Sequence, residues 1–386
     1  MGRSSARILT THAGSLPRPP DLLELADSER RDSPAYARRL ATAVDEIVAA
    51  QVAHGLDVID DGEFGKPDFA GYINTRLAGF TAGEWDTPSA GARDAQLLPA
   101  YYEDARKGGR PTYLGRMYPA LMCTEPIRYV GHAALARDIA NLKAALAKHP
   151  ARDAFMPAIS PENAQHAKRN EYYATVAEFE LALADALNEE YRAIVDAGFI
   201  VQIDDPQLIT YFNRNPDKSV AECRRWAEGR IEIINHALRG IPEDKIRFHT
   251  CYSFDAVPRL GDMELKDMLD LILRIRAGAY SFEAANPRHE HEYELWESTK
   301  LPEGKILIPG VVAVSTVVVE HPDLVKQRIL RFARIVGREN VIAGADCGFG
   351  TVAGSPDPHP AVAWAKLDAL VEGARRASQT LWSRAS

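Results

Sequence analysis

Short apolar runs rich in β-branched residues alternate along the chain with longer stretches whose apolar residues recur three and four apart. Eight runs are of the first kind: Ile8–Ser15, Asp57–Glu63, Ala154–Ser160, Phe199–Asp205, Ile246–Ser253, Ala279–Asn286, Ile306–Val312 and Val341–Gly348. Helical periodicity fills Tyr36–His54, Glu171–Ala197, Val220–Leu238, Leu265–Ala277, Pro322–Val336 and His359–Ser378. Strand then helix, repeated, predicts parallel strands joined by crossovers. Eight such units predict a single (β/α)8 TIM barrel over residues 1–386. Most of the runs are continuously apolar, as strands covered on both faces should be. The interval 81–150 breaks the rhythm with Pro- and Gly-rich sequence and a predicted strand pair, Thr112–Tyr118 and Ile127–Val130. It reads as an inserted excursion, a hairpin near the barrel rim. A doubly wound open sheet is the rival architecture, but no G-x-G-x-x-G or G-x-x-x-x-G-K-[ST] follows any run.

Composition narrows the class. Lys and Arg number 46 against 54 Asp and Glu, a net charge of −8. An acidic chain without a basic run argues against nucleic acid as a partner. There is no apolar stretch of about 20 residues and no signal-type apolar region behind the N-terminus, so neither membrane spanning nor secretion is expected. Four cysteines, Cys123, Cys223, Cys251 and Cys347, are too few for a disulfide scaffold. The expected location is the cytoplasm, and the sequence is compatible with a homo-oligomer.

Barrels of this kind carry their chemistry at the C-terminal ends of the strands. Those ends are polar here: His12, Gly14 and Ser15; Asp60, Asp61 and Glu63; Asp204 and Asp205; His249 and Cys251; Glu283 and Asn286; Asp346 and Cys347. Residues i and i+2 of a strand face the same way, so His249 and Cys251 share one volume. Cys347 ends the last run, which closes the barrel near the earlier strands. Two thiolates and an imidazole suit Zn²⁺, and Glu283 is the natural fourth, oxygen ligand. An H-x-C with a distant cysteine is more often core packing; its place at strand ends tips the balance here. Cys123 and Cys223 lack such partners and read as inert.

In order along the chain stand T-T-H-A-G-S-L-P-R-P at the start, D-G-E at 61–63, Q-I-D-D-P at 202–206, H-T-C-Y at 249–252, the glutamate of Y-S-F-E, and D-C-G at 346–348. This series resembles the cobalamin-independent methionine synthases, and more closely their single-barrel relatives in the uroporphyrinogen decarboxylase/methionine synthase superfamily. The resemblance implies a zinc site at His249, Cys251, Glu283 and Cys347. It implies that Gly14, Ser15, Glu63 and Asp204, with His12 in the same run, hold the amino-acid part of a thiol acceptor such as homocysteine. Glu63 and Asp204 are then the catalytic carboxylates. A free thiol is mostly protonated at neutral pH, and coordination to zinc deprotonates it. The implied reaction is methyl or other alkyl transfer to the thiol.

The sequence also departs from the family. The two-barrel enzymes carry an N-terminal barrel, for which 386 residues leave no room. The family's G-P-[VL]-T segment reads I-S-P-E at 159–162, and Ala313 and Ser315 stand where an Asp and a His protonate the folate nitrogen. His321 is the nearby substitute. These departures weaken the case for methyl-folate as donor beside a methylated corrinoid protein or an S-methyl compound. Epoxide:coenzyme M-type thiol addition is the nearest alternative, with Arg18 and Lys66 as a clamp for the sulfonate. A non-catalytic small-molecule-binding barrel with a structural metal, and a metal-free decarboxylase-like barrel, complete the set. His289 and His291 in N-P-R-H-E-H-E read mainly as solvent-facing, with a second metal site or donor recognition as the sharper alternative, and Arg288 beside them is a candidate partner for a substrate carboxylate. Lys168, Arg169 and the pair Tyr172–Tyr173 read as a solvated helix start, with a donor pocket as the alternative.

Overall fold

A computed structural model of the protein describes residues 1–26, 33–84, 92–107, 119–354 and 358–383. The eight apolar runs are eight parallel strands: β1 (Leu9–Thr10), β2 (Val58–Ile59), β3 (Asp153–Ile159), β4 (Ile200–Asp204), β5 (Ile246–Thr250), β6 (Ala279–Phe282), β7 (Ile306–Val312) and β8 (Ile342–Ala345). Their hydrogen-bonded order follows the chain from β2 to β8, with β8 beside β1. A parallel bridge between Thr11 and Val58 links β1 to β2, so the sheet returns on itself as a barrel.

Each strand sorts its side chains by the period of two. On β7, Leu307 packs in the main core against the helices, whereas Ile306 and Ile308 join Leu9, Ala279 and Ile342 in a separate inner cluster. The same alternation on β4 sends Val201 and Ile203 outward to the main core, which leaves Gln202 and Asp204 facing in. On β5 it sends Ile246 and Phe248 outward and turns Arg247 and His249 in. Polar residues at these inward positions are what the site is built from.

The long crossover helices start where local chemistry satisfies their first N–H groups. Ser33 Oγ caps Pro34–Ala53, and full capping boxes, Thr175 with Glu178 and Ser219 with Glu222, open Val176–Asp196 and Val220–Ala237. The expected helix Leu265–Ala277 shortens to a 3-10 turn, Leu265–Asp267, and one α-turn, Leu269–Ile272. Its backbone bonds are mainly of the three-residue type, Met268 N–H to Leu265 and Ile275 N–H to Ile272 among them. Tight turns bury its leucines without a full helix.

Between β2 and β3, strand Leu77–Ala82 pairs antiparallel with Leu121–Tyr129, which pairs parallel with Lys168–Asn170. Ile127 lies in the second of these strands; Thr112–Tyr118 lies outside the described residues. Helix His132–Lys148 packs on Pro34–Ala53 and Val176–Asp196 as the crossover into β3, so the last part of the 81–150 interval follows the barrel rhythm. No helix among the described residues is long and apolar enough to cross a membrane.

Candidate active site

The strand alternation that turns His249 inward carries on to Cys251, just past the end of β5. Cys347 stands just past β8. Their Sγ atoms are 3.4 Å apart, and the ligand atoms of His249, Cys251 and Cys347 all lie within 4.8 Å of one another. His249 Nδ1 is 3.0 Å from Ser281 Oγ. Donation of that N–H to the hydroxyl leaves the Nε2 lone pair available. Burial, with the Arg247 guanidinium nearby, lowers the imidazole pKa to about 3 and keeps the ring neutral. Contact with the Cys347 thiol, then burial, raise the Cys251 thiol well above the ordinary value. Two buried thiols in contact oppose each other's ionisation, and a cation between them removes that opposition. The donor set of two sulfurs and a neutral imidazole therefore fits zinc.

Glu283 lies outside that group of three. Its Oε1 accepts the N–H groups of Tyr252 at 2.6 Å and Ser253 at 3.2 Å, and its Oε2 accepts Asn286 Nδ2 at 2.7 Å. The carboxylate is thus tied to the backbone just past Cys251. Asp346, beside Cys347, accepts the N–H groups of Ala284 and Ala285 at 2.8 and 3.0 Å. The end of β8 is thereby fastened to the end of β6. Burial, followed by the neighbouring Glu283, raises Asp346 to about 7.

The second half of the site is acidic. The D-G-E turn after β2 is held by Asp60, which accepts Gly62 N–H, and by Asp61, which accepts Glu63 N–H. Glu63 adopts a left-handed backbone, φ +58°, an uncommon conformation for a residue with a β-carbon. The strain aims its carboxylate past Gly14, where an added Cβ would stand 2.7 Å from Glu63 Oε1. Glu63 Oε2 receives Lys66 Nζ at 3.2 Å, and Asp204 Oδ1 receives Gln202 Nε2 at 2.7 Å. Burial and then the charge of Glu63 push Asp204 well above the usual carboxylate range. Two neighbouring buried acids of this kind favour a cation between them. Asp204 caps no helix: Asp205 accepts Leu208 N–H at 2.9 Å instead.

Ser15, Glu63, Asp204, His249, Cys251 and Cys347 line one solvent-open cavity of about 100 Å³. Glu283 and Gly14 stand behind its lining, each against a lining residue. His12 does not line it. Its Nε2 pairs with Gln51 Oε1 at 2.7 Å and its Nδ1 accepts Gly14 N–H at 3.2 Å, and burial lowers its pKa to about 4. It is a neutral ring that shapes the β1 turn. Arg18 donates to the carbonyls of Gly350, Glu63 and Lys66, and Lys66 donates to Pro157 O as well as Glu63. Neither presents a clamp for a sulfonate.

Other singled-out residues fall elsewhere. His289 is buried, stacked on Tyr252 at 3.7 Å between ring centroids, and bonded to Glu292 and Asp262. The solvent-facing reading holds for His291 and fails for His289, whose two acid partners sit on separate turns, while Arg288 is exposed and does not line the cavity. His321 is exposed and accepts Asp323 N–H to cap the following helix. Lys168 and Arg169 belong to the side strand rather than to a helix, and Lys168 Nζ bonds Asn74 Oδ1 at 2.6 Å. Cys123 and Cys223 are buried apart from the sulfur pair. Sequence reasoning missed Asp94 and Tyr102, which come from the excursion to line the cavity, and Arg259, from the loop after Cys251. A Pro-Arg-x-Gly turn following a site strand was the available signal for Arg259.

Residues 167–372 match the family described as cobalamin-independent synthase, catalytic domain. Among curated relatives, the methionine synthase of Saccharolobus solfataricus is 25% identical over 380 residues, 95% of this chain and 93% of that protein. The 5-methyltetrahydropteroyltriglutamate–homocysteine methyltransferase of Thermotoga petrophila is 24% identical over 361 residues, 89% of this chain, which spans only 41% of that enzyme. A B12-independent methionine synthase from Shewanella, solved in complex with selenomethionine, shares the fold at a TM-score of 0.71 and 19% identity, covering 97% of this chain and 99% of that one. A Listeria monocytogenes structure described as a putative vitamin-B12 independent methionine synthase gives 0.65 and 19%, over 98% and 99% of the two chains. With the family match spanning more than half of the chain, including β4 to β8 and the His-Cys-Cys group, this protein belongs to the cobalamin-independent methionine synthase family.

Proposed function

We propose that the protein transfers a methyl or related alkyl group to a small amino-acid thiol, with homocysteine as the leading acceptor. The observation that carries this reading is one cavity lined both by the His249–Cys251–Cys347 donor group and by the acids Glu63 and Asp204. A thiol with a cationic amine matches that pairing. His249, Cys251 and Cys347 would hold zinc, with Glu283 as the labile fourth donor once it leaves its N–H partners. When bound, zinc supplies the Lewis acidity that keeps an acceptor sulfur deprotonated at neutral pH.

The chain's own residues then bind and orient. Glu63 and Asp204 take the acceptor amine, and Ser15 beside them presents its hydroxyl and backbone to the rest of the amino acid. The acceptor sulfur forms a bond to the alkyl carbon while the donor leaves with the electron pair of its broken bond. Ala313 donates only its N–H, to Glu320 at 2.7 Å, and Ser315 carries no ionisable group. The lack of an acid at these positions favours donors that depart without protonation, such as a sulfonium S-methyl compound or a methylated corrinoid. A closed structural metal site fits less well, because the three donors face an open cavity and Glu283 is engaged by N–H groups instead of closing the set.

X-ray absorption of the zinc-loaded protein with and without homocysteine tests the reading: an added sulfur scatterer is expected. An unchanged zinc shell, or full alkyl transfer after zinc removal, would sink it.

A further inference from the structure

The loop after Cys251 carries a cation that the acceptor chemistry above does not use. Arg259 is 4% exposed and lines the cavity with His249, Cys251 and Cys347. Its Nη2 donates to the carbonyls of Ser253 and Asp255, which fixes the plane of the guanidinium. Its Nη1 lies 3.4 Å from Glu283 Oε2 and 3.7 Å from Asp262 Oδ2, yet has no hydrogen-bond partner among the described residues. Glu283 Oε1 accepts Tyr252 and Ser253 and its Oε2 accepts Asn286, so Nη1 meets this carboxylate as an ion pair and not as a hydrogen-bond donor.

The backbone that presents this side chain is itself held against its preference. Arg259 has φ +61°, a region disfavoured for any residue with a β-carbon. Asp94 keeps it there by accepting the N–H of Arg259 at 2.9 Å and the N–H of Gly261. Gly261 is required for that approach, since a Cβ there would stand 2.9 Å from Asp94 N. A buried guanidinium edge that is held by charge but makes no hydrogen bond gains when a further acceptor meets it. The strongest acceptor for a guanidinium is an oxyanion. The cavity is bipolar: Glu63 follows β2 and Asp204 ends β4, whereas Arg259 lies in the loop after β5.

We propose that Arg259 is the anion-recognition residue of the cavity, its Nη1 edge taking a carboxylate carried by one of the two reactants. The proposal deepens the thiol-transfer reading, and rests on it for naming the reactants. Calorimetric titration of the zinc-loaded protein with L-homocysteine, and with its decarboxylated amine analogue, compares wild type with Arg259→Gln. Protection by acetate is read in parallel by thermal shift. Loss of homocysteine affinity by about tenfold or more, with the decarboxylated analogue unaffected, assigns the acceptor's carboxylate. Unchanged homocysteine affinity with acetate protection lost assigns the donor's. The proposal is overturned if both thiols weaken equally, or if homocysteine and acetate act alike on the two proteins. Should Arg259→Gln not fold, a crystal structure of the wild type soaked in homocysteine and acetate decides: no oxygen within hydrogen-bond reach of Nη1 overturns it. A wild type that binds neither thiol defeats the acceptor assignment, and the acetate arm still decides Arg259.

Discussion

The sulfur atoms of Cys251 and Cys347 stand 3.4 Å apart across 96 residues of sequence. Only the barrel, which sets the end of β8 against the end of β5, brings them together. Neither thiol takes part in the strand ladders, so Cys251→Ser and Cys347→Ser should fold with unchanged circular dichroism. Each should lose most of the about one zinc per chain expected of the wild type, as read by elemental analysis, together with alkyl transfer. Wild-type zinc content in both variants would remove the metal site from the account.

Asp204 illustrates a site residue that burdens its own fold. Burial and Glu63 raise its pKa well above the carboxylate range, so stability falls as the pH rises from the ordinary carboxylate value toward the raised one. Asp204→Asn should therefore leave the melting temperature equal or higher near neutral pH. Homocysteine affinity should fall about tenfold or more, the loss of a charged hydrogen bond. Glu63→Gln should weaken the acceptor similarly. Calorimetry supplies both readings, and unchanged affinity in both variants argues against an amine between the two acids.

His289 predicts a pH dependence of stability. Burial alone would depress its pKa, but bonds to Asp262 and Glu292 outweigh it and raise the value from 6.5 to about 9. The folded state then holds a proton that the unfolded state releases. Its contribution is complete below pH 6.5 and disappears as the pH climbs through about 9. A melting-temperature profile across that window should slope downward in the wild type, and His289→Gln should flatten it. Parallel profiles for the two proteins would show that His289 is not charged in the fold.

Asp346 ties the end of β8, beside Cys347, to the end of β6 through the N–H groups of Ala284 and Ala285. Asp346→Ala orphans two buried donors, at a cost of about 1–3 kcal/mol each. Zinc affinity should drop about 10–100-fold, as for other outer supports of a metal site. Asp346→Asn retains a carbonyl oxygen for the same donors and should recover most of the stability. Chelator competition and thermal melts measure the two effects, and equal behaviour of the Ala and Asn variants would discount the bonds.

All eight strands were legible because each carries its own period-two or apolar signal. The meeting of His249, Cys251 and Cys347 has a related origin: His249 and Cys251 share a strand face, and Cys347 follows a strand end. What local sequence does not carry is partnership at long range. His12 sits in the same run as Gly14 and Ser15, yet Gln51, from a crossover helix, captures its ring. His289 resembles a loop histidine until Asp262 is folded against it. Arg259 and Asp94 meet across 165 positions, and no spacing rule joins them.

That last contact separates two kinds of inheritance. The sulfur and imidazole donors stand on or just past β5 and β8, inside the stretch that matches the family. Asp94 and Tyr102 come from the segment before His132, outside that stretch, and meet the cavity from above the strand ends. The sulfur–imidazole group and part of the cavity wall thus come from different stretches of the chain. Changes at Asp94 or Tyr102 would reshape the cavity wall and leave His249, Cys251 and Cys347 in place on their strand ends.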